Sequence, residues 1–140
     1  MKNKLVVDSS VIVKWLNRQD EEFVDEADRI LADVQMKGVV LMAPELAKYE
    51  VGNALLNKGM ELPQAMASLG TIYSLPIQFV SQDEDQALKT IEIATQLKIT
   101  YYDASFLSLA RQNDAGLVTD NPKHQKKFEG VEVISLRDYR

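Results

Sequence analysis

The chain has 140 residues, 46% hydrophobic and 26% charged, with a net charge of −5, no cysteine and one histidine, His124. Such a length and composition suit one soluble domain with a sizeable core, and they exclude a disulfide framework, a thiolate metal site, a cysteine nucleophile and a multi-histidine zinc site. The acidic balance argues against a broad basic face for nucleic acid and leaves only local patches, "NPKHQKKF" at 121–128 and the isolated Lys14, Lys48 and Lys58.

No apolar run approaches the ~20 residues of a membrane span, and the N-terminus lacks the basic-then-apolar pattern of a signal peptide. The expectation is a cytoplasmic protein without membrane contact.

Short apolar runs and longer helical patterns take turns along the chain. Leu5 to Val7 reads as a strand that stops at Asp8, and a helix follows at 11–16. Segment 21–37 reads as a second helix, because Phe23, Ala27, Ile30, Leu31 and Val34 fall on one stripe and the acids of "DEEFVDEADR" complement the dipole of its first turn. Gly38 is its expected stop, Val39 to Met42 the second strand, and Pro44 the opening of a helix over 45–58. A helix at 62–74, a strand at Ile77 to Val80 and helices at 83–97 and 102–113 follow. The chain closes with strands at Gly116 to Thr119 and Val131 to Ile134. The strands are rich in Val, Leu and Ile without period-two alternation, which predicts burial on both faces of a parallel sheet.

In an open parallel sheet, ligands bind at the carboxyl ends of the strands, where strand order reverses. Asp8 stands at such an end. Taken alone it is equally well a turn residue before a helix that Ser9 or Ser10 caps. The same placement recurs, however. "TYYDASF" puts Asp103 in the first turn of helix 102–113, "LVTDN" ends a strand at Thr119 and Asp120, and "PELAKYEVGNALL" places Glu50 on the helical stripe Leu46, Glu50, Asn53 and Asn57. Individually these acids read as an N-cap, a turn residue and a solvated helix acid. Jointly they predict one acidic cluster, which repels itself unless a divalent cation neutralises it. Oxygen-only ligands select hard ions, so Mg²⁺ or Mn²⁺ is expected.

The ordered segments "VVDSSVIVKWL", "PELAKYEVGNAL", "TYYDASFLSLAR" and "LVTDN" together resemble the PIN-domain ribonucleases, most closely toxins of the VapC type from toxin–antitoxin pairs. The resemblance runs from Leu5 to the terminal "VEVISLRDY". It implies a three-layer α/β/α fold around a parallel sheet, a single domain over 1–140, and a Mg²⁺- or Mn²⁺-dependent endoribonuclease. The family's acids map onto Asp8, Glu50 and Asp103, and its site hydroxyls onto Ser9 and Thr119. A fourth acid usually stands two residues after that threonine, where this chain has Asn121. Asp120 comes one residue early and is expected as an outer ligand acting through water, with Thr119 and Asn121 completing the hydrogen bonds.

Asp8 and Asp103 are the expected direct metal ligands, and Glu50 binds a second ion or orients the attacking water. Lys123, Lys126 and Lys127 are candidates for substrate phosphates, although a solvated surface run is the commoner origin of such lysines. His124 reads as a surface residue. Trp15, Tyr101 and Tyr102 can stack on RNA bases, but core or interface positions are more usual for aromatics. The resemblance further implies a homodimer and an antitoxin partner, using exposed apolar residues such as Val11, Trp15 and Leu16 or the helical set Met66, Leu69 and Tyr73. Two alternatives stay open. One is a PIN domain that binds RNA or protein without catalysis, favoured by Asn121. The other is a haloacid-dehalogenase-like phosphatase, disfavoured because Ser10 replaces its second aspartate.

Overall fold

The computed structural model describes residues 3–123, 125 and 128–140. Five strands form one parallel sheet in the order β3-β2-β1-β4-β5: β1 Lys4–Val7, β2 Val40–Pro44, β3 Ile77–Val80, β4 Gly116–Thr119 and β5 Val133–Ser135. Val6 pairs with Met42 on one side and Leu117 on the other, so β1 lies between β2 and β4. Its Leu5, Val6 and Val7 are completely buried. Strands β3 and β5 have one neighbour each and are only half-buried, a departure from burial on both faces that follows from their edge positions.

Among the described residues six α-helices cover the sheet: α1 Ser9–Leu16, α2 Val24–Lys37, α3 Leu46–Leu56, α4 Leu62–Thr71, α5 Glu84–Leu97 and α6 Tyr101–Gln112. Strand order runs outward from β1 to β3 and then jumps back to β4, and right-handed crossovers place the helices of these two runs on opposite faces. The packing agrees, with α1 against α2 and α3, and α5 against α6. The architecture is the expected three-layer α/β/α fold.

Several boundaries differ from the sequence expectation for local reasons. Helix α2 starts at Val24 because Phe23 adopts the left-handed conformation with φ 56°, leaving Glu21 in the preceding loop. It stops at Gly38, whose φ of 69° is accessible to glycine and whose N–H bonds the Asp33 carbonyl. Pro44 closes β2 instead of opening α3. Helix α4 tightens into a 3-10 turn at Ile72–Ser74. The last strand begins at Val133, two residues later than its apolar run. No described helix is long and apolar enough to cross a membrane.

Strand order reverses between β1 and β4. Their carboxyl ends carry Asp8 and Thr119 side by side, and Asp8 N–H donates to the Val118 carbonyl at 3.0 Å.

Candidate functional site

Asp8 occupies the N-cap position of α1 but makes no side-chain cap bond. Its Oδ2 instead accepts two hydroxyls, from Ser10 at 2.8 Å and from Thr119 at 3.0 Å. Each hydroxyl in turn accepts a backbone N–H from the turn after β4: Asp120 N–H reaches Ser10 Oγ at 3.1 Å, and Asn121 N–H reaches Thr119 Oγ1 at 3.1 Å. The Thr119 side chain is completely buried. Asp8 is thus tied to β4 through two relays, far beyond what a helix cap requires.

Glu50 is half-buried on α3, with Ala47, Val51 and Leu55 on its inner face fully packed, and its Oε1 accepts the Ser9 hydroxyl at 2.7 Å. The adjacent serines therefore split their work. Ser9 serves Glu50, while Ser10, singled out from sequence only as a possible cap, serves Asp8. Asp103 sits in the first turn of α6, but the capping role falls to Thr100, whose Oγ1 accepts Asp103 N–H at 3.0 Å. The Asp103 carboxylate is half-buried and its charge acts on both Asp8 and Glu50.

Burial pushes the Asp8 carboxyl above the usual carboxylate range, against the hydroxyls that favour its charge, and the charge of Asp103 pushes it further. Burial likewise raises Glu50, and the charges of Asp8 and Asp103 add to it despite the Ser9 hydrogen bond. Three acids on β1, α3 and α6 thus feel one another electrostatically.

Asp120 points elsewhere. Its Oδ2 lies 3.0 Å from Lys14 Nζ, an ammonium only 2% exposed that also binds Glu21 Oε1 at 2.9 Å. Glu21 continues to Lys58 at 2.8 Å. Burial works against the Lys14 charge, but its two carboxylates outweigh burial and raise its pKa. Glu21 is lowered because Lys58 and Lys14 outweigh its own burial. Sequence offered Lys14, with Lys48 and Lys58, as a candidate local basic patch, but its charge is buried against two carboxylates. Its partners are 7 and 106 positions away, so only the first was within reach of a local pattern.

Asn121 and Lys123 are exposed. His124, Lys126 and Lys127 lie outside the described residues. Val11 is fully buried, which overturns its expected role at an exposed partner surface: α1 packs that side chain into the core. Trp15 is half-buried and donates its indole N–H to the Ala27 carbonyl at 2.8 Å, and Leu16 is half-buried against the core. Met66, Leu69 and Tyr73 are exposed at 64%, 37% and 72%.

Among the described residues no three acidic side chains already surround a common point as metal ligands would. The donor chemistry nevertheless fits a hard dication. Mg²⁺ commonly binds through one or two carboxylates and retains several waters, and a cation here would offset both the burial and the neighbouring negative charge that raise Asp8 and Glu50.

Comparison with known proteins bears on the fold and the family. No curated protein matches the chain in sequence. Among solved structures, VapBC2 from Rickettsia felis bound to a promoter DNA fragment aligns with a TM-score of 0.74 at 18% identity, covering 94% of this chain and 98% of that one. The Mycobacterium tuberculosis toxin VapC20, described as cleaving the sarcin–ricin loop, aligns at 0.69 and 16% identity, covering 91% and 98%. FitAcB from Neisseria gonorrhoeae aligns at 0.68 and 12% identity, covering 96% and 99%. These likenesses concern the fold. The family model described as the PIN domain matches residues 5–130, which span the strand carrying Asp8, the helices carrying Glu50 and Asp103 and the turn after Thr119: the chain belongs to the PIN domain family.

Proposed function

We propose that this protein is a metal-dependent endoribonuclease and the toxin of a toxin–antitoxin pair. The observation that carries the reading is the electrostatic coupling of Asp8, Glu50 and Asp103 around the β1/β4 switch point: burial and the Asp103 charge raise Asp8, and burial and the charges of Asp8 and Asp103 raise Glu50.

Asp8 and Asp103 would hold Mg²⁺ or Mn²⁺ directly, and Glu50 would hold a second ion or orient water. When bound, such an ion lowers the pKa of water and stabilises charge on the leaving oxygen. The chain's own contribution is placement. Ser10 and Thr119 fix the Asp8 carboxylate, Ser9 fixes Glu50, and Thr100 caps the first turn of α6, which carries Asp103. Asp120 and Asn121 feed the two hydroxyl relays with their backbone N–H groups, and the Asp120 carboxylate, held by Lys14, anchors their turn. Lys123, with Lys126 and Lys127, is the candidate for substrate phosphates.

The VapBC neighbour bound to promoter DNA supports an antitoxin partner for this chain, and a homodimer and a cytoplasmic setting are part of the same proposal. The exposed apolar side chains of α3, α4 and the following turn, Tyr49, Leu56, Leu62, Met66 and Tyr73, supply the surface such contacts need. The phosphatase alternative has no support in a PIN domain whose position 10 donates a hydroxyl to Asp8. The deciding experiment is incubation with a mixed RNA pool. Cleavage that needs Mg²⁺ or Mn²⁺ and stops with EDTA supports the reading, whereas RNA binding with no cleavage at any metal concentration leaves the non-catalytic alternative.

A further inference from the structure

Resting on the metal-dependent nuclease reading, we infer that Gln125 is a positioning residue for the metal site. It ties the loop after β4 to the backbone of Asp103 and, because the same loop holds Asp8, it fixes the two proposed metal ligands relative to each other.

The loop meets Asp8 at its start. Thr119 donates its hydroxyl to Asp8 Oδ2 at 3.0 Å, and Asp120 N–H reaches the same oxygen through the Ser10 hydroxyl, at 3.1 Å and then 2.8 Å. Six residues after Thr119 the loop meets the other acid. Gln125 is only 3% exposed, and its Nε2 donates to the Asp103 carbonyl, in the first turn of α6, at 3.5 Å. At ~3.3–3.6 Å per residue, such a stretch spans roughly 20 Å at most. It is also folded back on itself, since Gln125 N–H donates to the Pro122 carbonyl at 3.1 Å. One short segment therefore joins the acid at the end of β1 to the acid at the start of α6.

The choice of residue points the same way. Gln125 has its backbone held on both sides, with its carbonyl accepting Phe128 N–H at 3.1 Å, so the side chain is presented from a fixed position. Filling that space alone is cheaper with an apolar side chain of equal length, because a buried amide costs free energy unless it is hydrogen-bonded. Further along, Phe128 is 7% exposed and lies beneath the Arg111 guanidinium, 5.6 Å from the ring centre, which fastens the loop to the last turn of α6 as well. The loop thus grips α6 near both ends and Asp8 at its origin. Residues that orient metal ligands without touching the ion typically change metal affinity by ~10–100-fold when they are replaced.

The experiment is a Mn²⁺ titration of the full chain without RNA, read by EPR of the free ion, beside a thermal melt in EDTA. Gln125→Met keeps the length of the side chain and removes the donor, and Mn²⁺ affinity is expected to fall roughly tenfold. Gln125→Asn keeps an amide that is one methylene too short to reach Asp103. It should weaken Mn²⁺ in the same direction, which covers a failure of Gln125→Met to fold. In an Asp103→Asn background Gln125→Met should change the affinity by less than about twofold, because its route to the ion runs through Asp103. A lower melting midpoint with parental Mn²⁺ affinity would make Gln125 a purely structural residue and overturn the inference. Equal losses in the two backgrounds, or a parent that binds no Mn²⁺ at millimolar concentration, would overturn it too. Cleavage assays on the same proteins separate the two readings. Mn²⁺ binding that depends on Gln125 in a chain that cuts no RNA sinks the nuclease reading alone, and cleavage with a metal requirement unchanged by Gln125→Met sinks the positioning role alone.

Discussion

Lys14 Nζ lies 3.0 Å from Asp120 Oδ2, joining the middle of α1 to the turn after β4 on the far side of the hydroxyls that hold Asp8. The pair connects an ionic network to the carboxyl end of the sheet. Lys14, Asp120, Ser10 and Asp8 form one continuous chain of polar contacts, with Glu21 and Lys58 behind it.

Lys14→Met keeps the aliphatic stem and removes the charge. Breaking a buried ion pair typically costs ~3–5 kcal/mol, and the partial exposure of Asp120 and the second hold on Glu21 by Lys58 reduce that to about 2–3 kcal/mol here. Urea unfolding should show this loss with an unchanged denaturant slope. A variant as stable as the parent would mean that the network contributes nothing to stability.

Asp8→Asn and Asp103→Asn should each abolish RNA cleavage while leaving the fold intact. Removing one carboxylate relieves repulsion among the remaining acids, so thermal stability without metal should hold or rise. With Mg²⁺ present the parent should gain stability by ligand binding and the variants much less. Cleavage by either variant at the parent rate removes that residue from the site.

The raised pKa values of Asp8 and Glu50 set a sign for pH. In the folded, metal-free protein both carboxyls hold their protons to higher pH than in the unfolded chain. Between the two sets of pKa values the folded state binds more protons, so their contribution to stability falls as pH rises above the ordinary carboxylate range. Glu21, lowered by its lysines, has the opposite sign: its stabilisation is present above its ordinary pKa and is lost as pH falls through its folded value. Stability of Asp8→Asn should therefore depend less steeply on pH than that of the parent between the ordinary carboxylate pKa and neutrality. Divalent cation binding should release protons in the same window, which calorimetry in buffers of different ionisation enthalpy can count. No proton release would contradict the raised values.

Much of the fold was legible because its signals are local. Val, Leu and Ile packed into runs of three or four mark β1, β2 and β4, and the acids before Val24 and the glycine after Lys37 bracket α2. The failures are where a contact from elsewhere decides. Phe23 turns left-handed and Glu21 is retained in the loop by Lys14 and Lys58, which delays α2 beyond its acidic start. Val11 reads as an exposed candidate only until the sheet is placed beneath it. In the site, Asp8, Glu50 and Asp103 were visible as acids at strand ends and on a helix. Which serine serves which acid was not, since Ser9 and Glu50 are 41 positions apart and Ser10 and Asp120 are 110 apart.

The turn "TDNP" carries the last prediction. Asn121 occupies the usual fourth-acid position, yet its side chain is exposed and its contact to Thr119 is made by the backbone, which any residue supplies. Asp120 keeps a charge, but Lys14 holds that carboxylate. With only three firm acids the second cation should bind weakly, so activity should require metal on the order of millimolar, as expected for oxygen sites of low charge. Asp120→Ala should raise that requirement further, both by removing a carboxylate near the site and by releasing the turn whose N–H groups hold Ser10 and Thr119. Asn121→Ala should raise it less, and the reverse ranking would return the fourth position to Asn121. The double variant with Lys14→Met separates the two contributions. If Asp120 acts only by anchoring the turn to Lys14, the two single variants and the double variant should all need the same metal concentration, because coupled residues do not add. If Asp120 also reaches the cation through water, the double variant should be worse than Lys14→Met alone.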